Sequence, residues 1–192
     1  IPFGLGDGSK PFWVQIRVVQ PSQLAFDFLA QAQYAEWVSA VRDNPGAALP
    51  FGGADDDPNG AAKIKDRVRL ETGLTSGKIL LTFPRHDPEG VLSGLFPAYT
   101  VQSGDRLRGT LGFFTPGTSC HNGRVLFQIN YLDGSELKML QQWSKTCSGD
   151  LTSVDINLGS LAGKNLRFAL VVIADGAFQD DWAVWNSLRI EH

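Results

Sequence analysis

Scarcity narrows this sequence first. Its 192 residues hold two cysteines, one methionine and three histidines, and 17 Lys and Arg stand against 20 Asp and Glu. A net charge of -3 supplies no basic field for a phosphate backbone, which sets nucleic acid aside as a partner. The longest apolar run, Phe168–Ala174, has seven residues. A helix needs ~20 such residues to cross a bilayer, so helical membrane insertion is excluded. No nucleophile elbow, Walker loop, zinc-spaced histidine pair or dinucleotide fingerprint is present. Glycoside hydrolysis needs two carboxylates across a cleft, and the five glutamates are scattered. Cys120 has His121 beside it, but neighbours on a turn-rich loop rarely face each other. The expectation is a protein that is not an enzyme.

What remains is a globular composition, 43% hydrophobic and 19% charged, at a length that suits one domain. The chain begins at Ile1 with no signal-like segment, which reads as a removed leader or a boundary upstream. Residues 1–20 read as an amino-terminal arm and strand, and 21–192 as one β-sandwich domain. The arm opens rich in Gly and Pro. In Phe12–Val19 the residues Phe12, Val14, Ile16 and Val18 share one face, a period of two. Residues 24–42 read as a strand followed by a short turn or helical segment. Candidate strands follow at Ala62–Leu70, Lys78–Phe83, Arg106–Phe114, Arg124–Leu132, Glu136–Trp143, Thr152–Asn157, Leu166–Ala174 and Trp182–Ile190. Turn signals separate them, Asp133-Gly134 being the strongest hairpin signal. About ten short strands at this spacing predict an all-β fold, an antiparallel β-sandwich of jelly-roll type. Cys120 and Cys147 flank a strand–turn–strand unit and are expected to form a disulfide, as in a secreted protein; two buried free thiols are the alternative.

Three groups of residues carry chemistry. Asp55, Asp57 and Asn59, then Gly60 and Asp66, place oxygens at loop positions 1, 3, 5 and 12 and glycine at 6. That spacing suits a structural Ca²⁺, although position 12 is Asp and not Glu, and the flanks are not helical. Asp175, Asp180 and Asp181 form a second acidic group, able to complete a metal site, accept sugar hydroxyls or merely cap turns. The tryptophans are the third. Sugar-binding sandwiches present flat aromatic faces to a pyranose. Alternation puts Trp182, Val184, Leu188 and Ile190 on the core face and Trp185 on the other, so Trp185 is the expected half-exposed platform, with Asn186 and Arg189 beside it. Trp143, ending a strand that contains Gln141, is a second platform.

The segments Val154–Leu158, Leu161–Phe168 and Asp181-Trp182-Ala183-Val184-Trp185 with Arg189-Ile190 resemble the closing strands of galactose-binding-like jelly-roll domains of secreted bacterial proteins. Phe26-Asp27-Phe28, Trp37 and the loop at 52–60 are similar to other secreted bacterial modules. The resemblance implies a non-catalytic sandwich at the cell surface or outside the cell, often with structural Ca²⁺ and sometimes carbohydrate-binding. It fixes no ligand residues. The first expectation is therefore a carbohydrate-binding or cell-surface recognition module. One alternative is a subunit of an extracellular filament or surface layer, self-assembling through strand 12–19. The other is a small jelly-roll glycan hydrolase or lyase.

Overall fold

A computed structural model describes residues 22–117, 120 and 122–192. The arm, the strand expected at 12–19 and its role in self-assembly lie outside the described residues. Among these, twelve strands form two antiparallel sheets. One sheet has the order β10 (Thr152–Asn157), β7 (Arg106–Phe113), β12 (Ala183–Glu191), β5 (Ile79–Phe83), β4 (Ala61–Lys65), with β1 (Leu24–Asp27) also on β12. The other has β3 (Ala47–Ala48), β2 (Glu36–Val41), β6 (Gly90–Thr100), β11 (Asn165–Ala174), β8 (Arg124–Asp133), β9 (Glu136–Thr146). From β5 on, the chain changes sheets at every connection except the β8–β9 hairpin. That wrapping is the expected jelly-roll sandwich.

The core between the sheets is aromatic. Phe28, Phe96, Phe113, Phe127, Phe168 and Trp185 are all fully buried. Phe28 meets Phe96 and Phe168 edge to face, and Phe127 meets Trp185 in the same way at 4.9 Å between centroids. A smaller cluster of Val68, Leu70, Ile79, Leu81 and Val184 lies on the outer side of the first sheet, where the segment after β4 folds back over it. Arg67 makes the corner in a left-handed conformation, φ 53°.

One long strand, β6, was illegible in the sequence because of its local composition. β6 carries Gly90, Gly94 and Pro97, all strand breakers by propensity. Pro97 sits where the ladder to β11 is irregular, between the pairs Leu95–Ala169 and Ala98–Arg167, so its missing N–H breaks no regular rung. Gly94 serves β2: a Cβ there would stand 2.5–2.7 Å from three atoms of the Trp37 ring. That ring is buried, and its Nε1 donates to Ala32 O at 2.8 Å. Gly94→Ala is therefore expected to lower stability by about 1–3 kcal/mol in a denaturant titration, because the ring has no room to retreat.

The hairpin signal is sound but displaced by one residue. Asp133 pairs with Glu136, and the turn is Gly134-Ser135, with Gly134 at φ 66°. The cysteines do form a disulfide, Cys120–Cys147, with Cα atoms 5.9 Å apart.

Candidate functional site

The expected platform on β12 does not exist. Trp185 is fully buried, and its Nε1 donates to Thr82 Oγ1 at 3.1 Å. The cause is a bulge. Ser187 adopts φ 53°, and the β12–β7 register shifts between Asn186 and Arg189. Before the bulge the odd residues Ala183 and Trp185 face the inter-sheet core; after it the even residues Leu188 and Ile190 do. Simple alternation misassigned Trp182, Val184 and Trp185 accordingly. Gly109 makes the bulge possible, since a Cβ there would lie 2.8 Å from Leu188 Cα.

Asn186 and Arg189 do share a groove of about 380 Å³ on the outer side of the first sheet, with Arg108, Thr110, Ser153 and Asp155. Its polar groups are largely committed to one another. Asn186 donates to Thr110 Oγ1 at 3.1 Å. Asp155 pairs with Arg106 and Arg108, and Glu191 with Arg108 and Arg189, at 2.5–3.3 Å. Trp143 is on β9, at the edge of the other sheet, half-buried against the core. The four expected ligand residues thus form no common site.

Neither does the acidic loop gather its oxygens. The Asp55 carboxylate pairs with Lys63 at 2.6 Å and Lys65 at 2.5 Å. Burial raises its pKa, but hydrogen bonds and charge from the two lysines outweigh this and hold it below the usual carboxylate range. Asp57 Oδ1 accepts from the Asn59 backbone and side chain, Asn59 Oδ1 accepts from Arg85, and Asp66 lies exposed between Lys65 and Arg67. A divalent cation would meet ammonium groups where it needs open oxygens. The donor set does not fit calcium. Among the described residues, the one cluster of potential metal ligands joins Glu71 to the two disulfide sulfurs, which cannot ligate as thiolates.

The second acidic group ties loops together. Asp175 pairs with Arg124 at 2.6 Å, Asp180 Oδ2 accepts from Asn122 N, and Asp181 Oδ1 accepts from Arg124 N at 2.8 Å. Asp181 Oδ2 is buried without a partner. Burial, with the charges of Asp180 and Asp175 in support, raises the Asp181 pKa from 3.8 to about 7 despite the backbone bond. The folded state therefore holds a proton that the unfolded state releases. This contribution to stability is greatest below about pH 4 and is lost as pH rises to about 7. Asp181→Asn keeps an acceptor for Arg124 N and never ionises. It is expected to raise Tm at neutral pH and to flatten the decline of Tm between about pH 4 and about pH 7. Melting curves across that range check this.

A different cleft has groups to spare. It measures about 500 Å³ and is lined by Asp27, Leu29, Gln33, Phe51, Ile64 and Lys78. It opens where β1 ends and β5 begins, two strands that flank the same side of β12: Asp27 pairs with Arg189 and Ile79 with Asn186, across the bulge. Asp27 caps the short helix α1 (Phe28–Gln31), its Oδ1 accepting from Leu29 N and Ala30 N. The half-buried Phe51 ring is stacked on buried Trp37, 6.2 Å between centroids and 22° between planes. Phe51, Leu29 and Ile64 give an apolar lining. Gln33 and Lys78 are exposed, and among the described residues neither side chain is engaged in a hydrogen bond. The sequence held one sign of this place, the loop at 52–60 following Phe51, but that loop reads as a metal site.

No helix among the described residues is long and apolar enough to cross a membrane. No family model matches the chain, and no curated protein does. Solved structures do. One is the structure of CBM51-2 in complex with GlcNAc and INT domains from Clostridium perfringens ZmpB, with TM-score 0.53, 15% identity, and coverage of 84% of this chain and 31% of that one. A structure of CBM51-2 and INT domains from the same protein aligns with TM-score 0.49 and 15% identity over 74% of this chain and 29% of that one. This chain therefore spans about a third of the chain it resembles, and the likeness is one of fold.

Proposed function

We propose that the protein is a non-catalytic carbohydrate-binding module of the extracellular space or cell surface, and that its sugar site is the cleft around Phe51. The carrying observation is an apolar lining backed by a fixed ring, with uncommitted polar groups at its rim. A pyranose presents that combination in reverse, with C–H faces for Phe51 and Leu29 and hydroxyls for Gln33, Lys78 and Asp27. Monosaccharide to disaccharide size suits the volume. The fold likeness to a structure that holds CBM51-2 in complex with GlcNAc makes that sugar and its oligomers the first probes. The disulfide supports an oxidising compartment. Bond cleavage would require two opposed carboxylates, and the cleft offers Asp27 alone among the described residues.

Calorimetric titration with a panel of neutral oligosaccharides tests the reading. Phe51→Ala is expected to weaken the best ligand about tenfold or more, and Gln33→Ala less. Asn186→Ala, in the other groove, should leave affinity unchanged. If Asn186→Ala abolishes binding while Phe51→Ala does not, the sugar site is the sheet groove and this reading is wrong.

A further inference from the structure

On the opposite side of β4 from the cleft, the chain concentrates cations. Lys63, Lys65, Arg67 and Arg69 fall within seven residues, with Asp66 as the one carboxylate among them, in a protein whose net charge is -3. Lys65, Asp66, Arg67 and Arg69 line an open hollow of about 430 Å³ with Phe114 and Thr115. Two segments build it. Residues 65–69 turn away from β4, and 114–117 run beside them, held by Thr115 N donating to Arg69 O at 2.9 Å and by the Leu70–Phe114 bridge. Lys65 Nζ stands 5.3 Å from the Phe114 ring centroid while also serving Asp55. Arg67 and Arg69 are exposed and, among the described residues, form no ion pair.

Arg67 is the informative residue. Its φ of 53° is a conformation that glycine adopts without strain and a long side chain does not. The fold needs the corner but not the guanidinium; Arg67 is exposed and lines the same hollow as the exposed Arg69. Two unpaired guanidinium forks lining one hollow, with the Lys65 ammonium over its aromatic ring, suit a carboxylate or sulfate carried on a sugar ring.

The geometry points to a second subsite here, for the anionic group of an acidic glycan. It rests on the carbohydrate reading and extends it: Ile64 lines the neutral cleft and Lys65 the cationic hollow, so one edge strand separates them and one oligosaccharide can engage both.

The test compares four probes on the full chain: a neutral GlcNAc oligomer, an oligogalacturonate, a sulfated glycosaminoglycan oligosaccharide, and single-stranded DNA of matched charge. The oligogalacturonate or the sulfated sugar should bind about tenfold tighter than the neutral oligomer, more weakly as salt rises. Whichever of the two binds tighter identifies the anion. Arg67→Gly with Arg69→Gln should remove that advantage and leave neutral binding intact. Arg67→Gly should leave Tm unchanged or raised, since it relieves the backbone; a large fall in Tm would mean that the side chain serves the fold. Neutral binding without an acidic advantage overturns this inference and leaves the cleft reading standing. Silence from every sugar overturns both. Equal binding of DNA makes the patch a general polyanion contact and overturns it as a glycan subsite.

Discussion

Glu71→Gln is expected to cost about 3–5 kcal/mol, because it leaves a buried ammonium without its counter-charge. The Glu71 side chain is 0% exposed and that of Lys145 5%, and they meet at 2.9 Å. The carboxylate also accepts from three backbone donors: Phe113 N at 3.1 Å, Ser148 N at 3.0 Å and Gly149 N at 3.1 Å. An acceptor-only group suits four donors. The glutamine amide would turn an N–H₂ toward N–H groups or the ammonium, so shape is kept while chemistry fails. The loop after Cys147 would lose its anchor to the first sheet. At roughly 2–4 °C per kcal/mol for this size, Tm should fall by about 10 °C. A change below about 1 kcal/mol would mean that water reaches the pair and solvates the ammonium.

The second large effect is loss of the disulfide. Cys120 and Cys147 are 27 residues apart, and a loop of that length corresponds to about 3.5 kcal/mol of unfolded-chain entropy. Cys120→Ser with Cys147→Ser, followed by denaturant unfolding, measures it. The Glu71 carboxylate and the two sulfurs lie within 4.8 Å of one another, so the two losses should not add. The combined variant should fall short of the sum, because either change already frees the segment at 147–149. Full additivity would show that the ion pair and the bridge hold separate parts of the fold.

The sheets were largely legible because alternation and turn residues are local signals. All eight strands expected from Ala62 onward have counterparts, among them Lys78–Phe83 at β5 and Thr152–Asn157 at β10. The long strand that escaped, β6, owes Gly94 to a residue far along the chain, the Trp37 ring of β2. The site was less legible for the same reason. One left-handed residue, Ser187, reversed the facing of β12 and moved Trp185 from the surface to the core. The acidic loop has calcium-like spacing, but the lysines that occupy Asp55 come from β4, a pairing that no spacing within the loop reveals. The cleft joins residues 27 to 78 through the break between β1 and β5. No single stretch of sequence carries it.

The most direct measurement is an amide chemical-shift map during titration with a GlcNAc oligomer, followed by analysis of the recovered sugar. The expected result is a set of shifts concentrated on Asp27–Gln33, Phe51, Ile64 and Lys78, with the oligosaccharide returned at its original length. Shifts centred on Asn186, Arg189 and Arg108, or a shortened sugar, would contradict it.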